Sequence, residues 1–213
     1  MDGSVLTLMK LLYQTHSPYA RKALVFAHEA GIAERIEVVH HETSPTKRNT
    51  AVFAENPLGK VPVLLRPGLP SLFDSDVICA YFDTLHGGRA LIPSEGEARW
   101  RALRMQAVAQ GLADAGIAIR WETARRPKKL RYPRLRDGYV EKLVASYDWL
   151  EDELDAEAPI HVGHVAVATA LSWLKFRELP SFRDKRPRLA AWFDAFENRP
   201  SMKATPLSGV THD

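Results

Sequence analysis

The chain has 213 residues, 46% of them hydrophobic, which describes a globular protein of one or two domains rather than a disordered one. No apolar run reaches the ~18 residues that a membrane-spanning helix needs, and the start Met1-Asp2-Gly3-Ser4 lacks the basic region of a signal peptide. The single cysteine, Cys79, excludes an internal disulfide and a Cys-x-x-Cys pair, and it fits a reducing, cytoplasmic location.

The formal charge of +3 arises from 29 basic and 26 acidic residues, unevenly spread. Seven of the basic ones (Arg125, Arg126, Lys128, Lys129, Arg131, Arg134 and Arg136) fall within residues 125–136, where there is no acid, which leaves 22 basic against 26 acidic residues, a net of −4, elsewhere. Such a stretch can face nucleic acid or an anionic substrate. Only Tyr132 offers an aromatic for stacking, so a solvated connection between helices is the preferred reading and nucleic acid is not an expected partner.

In chain order, Val5 to Leu12 is short and apolar and reads as a buried strand. From Ala20 the spacing changes: Ala20, Ala23, Leu24 and Ala27 follow a helical repeat, with Arg21, Lys22, His28 and Glu29 on another face. Ser17 is a suitable N-cap, Pro18 suits the first helical position and Gly31 the stop. A small hydroxyl therefore sits where a strand hands over to a helix, at the end that favours an anion. The plain alternative is that Ser17 is only a cap.

Arg35 to His40 is a second strand rich in β-branched residues, residues 42–50 form a loop, and Ala51 to Glu55 a short helix stopped by Pro57. Val61 to Leu65 is a strand with Pro62 inside it, so that proline stands either at an edge or in a special peptide bond. A hairpin through Pro67, Gly68 and Pro70 leads to a short strand near 71–73. Asp74-Ser75-Asp76 then opens a helix with Val77, Ile78, Tyr81, Phe82 and Leu85 on its apolar face and Gly87-Gly88 at its end. Cys79 lies inside that helix as a packing residue. Leu91-Ile92-Pro93 reads as a linker. Beyond it everything is helical, with stripes through Met105, Val108, Leu112, Ala115 and Ile119, through Val140, Leu143, Tyr147, Leu150 and Leu154, and through Leu189, Trp192, Phe193 and Phe196. Val165 to Phe176 is apolar nearly all round, as in a helix at the centre of a bundle.

Four motifs in this order resemble the glutathione S-transferase family: Ser17-Pro18-Tyr19-x-Arg21-Lys22, Asn56-Pro57-x-Gly59-Lys60-Val61-Pro62-Val63-Leu64, Asp74-Ser75-x-x-Ile78, and Ser181-Phe182-Arg183-Asp184 through Trp192-Phe193 to Arg199-Pro200-Ser201. The first is similar to bacterial and omega-like members. The resemblance implies an α+β fold with a thioredoxin-like N-terminal domain over 1–86, a linker over 87–93 and an all-helical C-terminal domain over 94–213. It further implies glutathione as cosubstrate, a cis bond at Pro62, backbone pairing of Val61 with the cysteinyl part of glutathione, and Asp74 and Ser75 at the γ-glutamyl end. Lys60 is either a contact for the glycine carboxylate or a solvated loop lysine.

The sulfur must be a thiolate to attack an electrophile, and a hydroxyl at a helix N-terminus lowers its pKa. Ser17 is the first choice for that hydroxyl and Thr15 the alternative, since some serine-type classes place it two positions earlier. His16 is a proton donor or a partly exposed loop residue, and Tyr13 is core-facing. The absence of a cysteine at Ser17 argues against an omega-like thiol transferase. An electrophile pocket would be walled by the 13–16 loop, with His16, and by the helix 97–124, with Met105, Gln110, Asp114 and Ile117, of which Met105 and Ile117 are better read as packing. The family's Ser/Thr-x-x-Asp cap before the buried C-terminal helix is replaced by His161 and His164, which leaves that helix without its usual cap; no metal is expected there. The leading function is transfer of glutathione to a small electrophile, in a homodimer with no membrane association. A non-catalytic glutathione- or partner-binding module is the alternative. A zeta-like isomerase lacks support because its Ser-Ser-Cys signature is missing around residues 15–17.

Overall fold

The computed structural model describes residues 8–211, so Met1–Ser4 and the Val5, Leu6 and Thr7 of the expected first strand lie outside the described residues. The chain divides into two compact units, Met1–Leu91 with Thr205–Asp213, and Ile92–Ala204. Residues 205–211 thus belong with the first unit, whereas the sequence reading left them with the helices.

In the first unit, strand β1 (Met9–Tyr13) is followed by helix α1 (Pro18–Glu29), β2 (Ile36–His40), α2 (Thr50–Glu55), β3 (Val63–Arg66), β4 (Leu69–Leu72) and α3 (Ser75–Asp83). The four strands lie in the order β2-β1-β3-β4. β1 runs parallel to β2 and antiparallel to β3, and β3 antiparallel to β4. The parallel pair needs a long crossover, which α1 supplies, while Pro67-Gly68 closes the β3–β4 hairpin with Gly68 at φ 70°. This is the β-α-β and β-β-α order read from the sequence. The third strand begins only after Pro62, so that proline breaks no ladder.

The cap and stop of α1 are as the sequence predicts: Ser17 Oγ accepts from Ala20 N at 3.2 Å, Pro18 occupies the first turn, and Gly31 follows at φ 70°. The apolar face is buried. Arg21 and Lys22 are buried as well, only 3% and 4% exposed. Their burial is tolerated because both heads are partnered: Lys22 Nζ pairs with Asp76 near the start of α3, and Arg21 Nε donates to Thr205 Oγ1 at 3.4 Å. In α3, Ile78, Cys79 and Phe82 carry the burial, while Val77 is 45% exposed and the helix ends at Asp83, before Gly87-Gly88. Burial pushes the Cys79 thiol up to about 12.

The second unit contains α4 (Gly96–Arg120), α5 (Pro133–Glu153), α6 (Val162–Phe176), α7 (Pro187–Glu197) and the short α8 (Pro200–Lys203). Every residue of α6 from Val162 to Leu174 is buried, which makes it the bundle's central helix. It runs parallel to α4 at close range: a methyl on Gly163 would stand 2.7 Å from Ala102 O, and one on Gly116 2.6 Å from Leu174. Glycine at 163 lets α6 approach the α4 backbone, and at 116 it leaves room for the Leu174 and Trp173 side chains.

His161 and His164 do supply a cap to α6. His161 Nδ1 accepts from Gly163 N at 3.1 Å, and His164 Nδ1 from His161 N at 3.4 Å. The imidazoles stack with centroids 3.8 Å apart. Burial, reinforced by charge on His161, lowers the His164 pKa to about 4. The ring is therefore neutral and can accept, doing the work of an Asp at that position. The usual Ser/Thr–Asp pair is absent, as read from the sequence, yet the two histidines form a capping box in its place.

The basic stretch forms a π-helical turn (Trp121–Arg125) and a 3-10 turn (Lys128–Leu130) between α4 and α5. Buried Glu122 organises it, pairing with Arg126 at 3.0 Å and accepting from Tyr132 N at 2.7 Å. Among the described residues no helix is long and apolar enough to cross a membrane.

Candidate functional site

The sheet register gathers the sequence-predicted residues of the first unit at one edge. β1 is parallel to β2, so both end there, and His41 N donates to Tyr13 O at 2.7 Å just beyond. β3 is antiparallel to β1, with Val63 opposite Leu12, so β3 begins there. β4 is antiparallel to β3, with Leu72 opposite Leu64, so it ends there and delivers α3. The turn 14–17, the Val61-Pro62 peptide and the start of α3 therefore share one edge.

The approach to Pro62 is held by Asn56, 2% exposed. Its Nδ2 donates to Lys60 O and its Oδ1 accepts from Leu58 N, both at 2.9 Å. Gly59 sits at φ 62° with Phe53 directly behind it, where a Cβ would come within 2.2 Å of the ring. The Val61–Pro62 peptide is cis, as the resemblance implied. Val61 is buried and lies outside the β1–β3 ladder, so its backbone groups are not consumed by the sheet. Lys60 is exposed.

Asp74 caps α3, its Oδ1 accepting from Asp76 N at 2.9 Å, and remains exposed. Ser75, 1% exposed, is the first helical residue. A carboxylate beside a hydroxyl and a helix N-terminus suits a zwitterionic end group: the carboxylate meets an ammonium, and the helix end meets an acid.

The two candidate hydroxyls differ in what they already do. Thr15 Oγ1 donates to Ser208 O at 2.9 Å, and Ser208 N donates back to Thr15 O at 3.2 Å. The Thr15 proton is thus committed to the C-terminal segment. Among the described residues Ser17 Oγ, 7% exposed, acts only as acceptor in its cap bond, so its proton is there to be given. Tyr13 is buried in the core as expected, and burial pushes its phenol up to about 12.

His16 is 7% exposed, not the partly exposed loop residue of the sequence reading. Its Nε2 faces Glu42 Oε2 at 3.9 Å. Glu42 also accepts from Gln14 Nε2 at 2.7 Å and contacts His40 Nε2 at 2.7 Å. Burial opposes ionisation of this carboxyl, but the Gln14 and His40 hydrogen bonds and the charges of His16 and His40 outweigh it and hold the pKa below the usual range. Thr43 Oγ1 completes the brace on Gln14 Oε1 at 3.0 Å. Sequence reasoning missed Glu42 and Ser208 as supports of this turn; no local pattern marks either.

Met105, Gln110 and Asp114 lie on α4 of the second unit. Met105 is buried, and a methyl on Gly163 of α6 would stand 2.8 Å from its Cβ, so it is a packing residue as first preferred. Gln110 and Ile117 are half-buried and Asp114 is exposed. Among the described residues no group of three or more His, Cys, Asp or Glu is placed to hold a metal, and His161 and His164 are engaged in the cap.

Comparison with known proteins bears on the family and the fold. The family model described as "Glutathione S-transferase, N-terminal domain" matches residues 16–85, and that for the C-terminal domain matches 100–195. The chain is 30% identical over 202 residues to the uncharacterised GST-like protein YibF of Escherichia coli strain K12, covering 92% of this chain and 98% of that one. A glutathione transferase family member from Pseudomonas fluorescens Pf-5, solved with bound glutathione, is similar at 36% identity and a TM-score of 0.90, over 94% of this chain and 100% of that one. A second structure of a family member from that organism, with bound S-(propanoic acid)-glutathione, gives 36% and 0.85 over the same shares. A glutathione S-transferase from Methylobacillus flagellatus KT with glutathione bound gives 32% and 0.81, again over 94% and 100%.

Proposed function

The chain belongs to the glutathione S-transferase family, and from that premise we propose that it binds glutathione at the sheet edge of its first unit and activates the thiol for attack on a small electrophile. The observation that carries the reading is the unspent Ser17 proton at the N-terminus of α1. A cysteine-type thiol of pKa near ~8.5 is mostly protonated at neutral pH. A hydroxyl donor and the positive end of a helix both favour the charged form, so they lower that pKa and raise the thiolate fraction. Ser17 is the proposed donor. Thr15, having given its proton to Ser208, is not.

The rest of the cosubstrate is assigned by the same chemistry. Val61 pairs its open backbone with the cysteinyl unit as an added strand would. Asp74 meets the γ-glutamyl ammonium, and Ser75 with the α3 N-terminus meets its carboxylate. Lys60 is exposed and within the same loop as Val61, where it can approach the glycine carboxylate. The bound glutathione and S-(propanoic acid)-glutathione of the two Pseudomonas fluorescens structures support this reading. We take the working form to be a cytoplasmic homodimer, in keeping with the family resemblance and with Cys79 as a free buried thiol.

The test is the ultraviolet difference spectrum of bound glutathione against pH, in wild type and Ser17→Ala. A thiolate band well below the pH at which free glutathione ionises, lost in Ser17→Ala with glutathione still bound, is the expected result. Turnover falls with the band while glutathione affinity holds. Binding without an early band refutes thiol activation and leaves the non-catalytic module.

A further inference from the structure

The C-terminal segment is fastened to the first unit at two points that bracket Ser17. Four residues after it in sequence, Arg21 Nε donates to Thr205 Oγ1 at 3.4 Å, with both residues 3% exposed. Two residues before it, Thr15 and Ser208 exchange a backbone bond of 3.2 Å and a side-chain bond of 2.9 Å. The segment therefore runs alongside the whole turn from strand to helix that presents Ser17. Next along, Gly209 adopts φ 89°, a conformation costly for residues with a Cβ, and a methyl on it would stand 3.4 Å from both His16 Nδ1 and Thr15 Oγ1. Such a methyl would just reach van der Waals contact with the turn, so it is the backbone angle that favours glycine here.

We propose that residues 205–211 are a positioning strap for the candidate site, with Thr15 as its anchor: the strap holds turn 14–17 in the one geometry that aims the Ser17 proton at the glutathione sulfur. The proposal rests on the reading of Ser17 as thiolate donor. Its physical content is directional. A hydrogen bond weakens steeply as it bends or lengthens, so a turn free to shift gives a weaker donor to the sulfur without disturbing the contacts that bind the rest of the tripeptide. Those contacts, Val61, Asp74 and Ser75, are on other segments of the edge. Thr15 is thereby a positioning residue. It acts through Ser17, and its hydroxyl serves the strap.

Three full-chain variants test this. Thr15→Val removes the anchor hydroxyl. Ser208→Pro removes the N–H that pairs with Thr15 O but leaves the Thr15 hydroxyl in place. Thr15→Ser restores the hydroxyl on a smaller side chain. The readouts are the pH midpoint of the thiolate band of bound glutathione and the affinity for S-methylglutathione, which has no thiol to ionise. Thr15→Val and Ser208→Pro are each expected to raise the midpoint by about one unit, about tenfold in thiolate fraction at neutral pH. Thr15→Ser is expected to keep the wild-type midpoint, and S-methylglutathione to bind all variants within about threefold. A raised midpoint in Thr15→Val but not in Ser208→Pro overturns the proposal, because the hydroxyl would then act on the sulfur directly. A midpoint unmoved in both also overturns it and leaves the Ser17 assignment standing. A wild type with no early band defeats the proposed function itself, which separates that failure from a failure of the strap.

Discussion

Protonation of His164 should unfasten α6 and cost the protein stability in mild acid. The folded-state pKa of about 4 lies below the ordinary 6.5, because the ring is 2% exposed and stacked on His161. The unfolded chain therefore takes up this proton first as pH falls. The stability tied to the neutral ring is complete above pH ~6.5 and drains as the pH drops from there toward ~4. Linkage between those two values gives a loss of about 2 kcal/mol on going from pH 8 to pH 5. With a urea dependence of ~2 kcal/mol per molar, the midpoint falls by about 1 M. Urea titrations at the two pH values, in wild type and His164→Asn, isolate the contribution. Asparagine offers a neutral acceptor near the Nδ1 position and does not titrate, so its midpoint should lack this component of the acid loss. Equal losses in the two proteins would refute the argument. So would a proton resonance of His164 that titrates near 6.5.

Two further outcomes follow from close packing in the first unit. Gly59→Ala forces a left-handed backbone onto a residue with a Cβ and drives that carbon into the Phe53 ring, at 2.2 Å; a loss of about 1–3 kcal/mol in denaturant stability is expected, with part of it recovered by Phe53→Leu. Cys79, fully buried with its thiol pushed up to about 12, should stay unreactive toward a disulfide reagent at pH 8 until the chain unfolds; rapid labelling of the native protein would contradict its packing.

Much of the fold was legible because its signals are local. Ser17-Pro18 and Asp74-Ser75 mark helix starts within two residues, and the stripes of α5 and α7 repeat at helical spacing. What escaped depends on partners distant in sequence. Arg21 and Lys22 look like a solvated face in any helical projection; their burial depends on Thr205 and Asp76, which no periodicity links to them. The caps of α6 escaped for a chemical reason instead. A histidine is a poor cap unless its ring stays neutral, and that neutrality comes from burial, which the residue type does not disclose. In the site, the sequence favours Ser17 for its place at a helix start but leaves Thr15 as a live alternative. They separate once Ser208 is seen to occupy Thr15 and leave Ser17 its proton.

Thr15 and Ser208 are 193 positions apart. Synthesis at ~5–20 residues per second makes that interval on the order of 10–40 s. Through all of it the turn 14–17 lacks its Ser208 contact, while the five helices of the second unit are made in between. A chain cut short before Ser208 would hold Ser17, Pro62 and the residues of α3, yet the turn that carries Ser17 would lack its tie. The turn that carries Ser17 is thus tied only after the helices of the second unit have been made, so the order of synthesis sets when it is held.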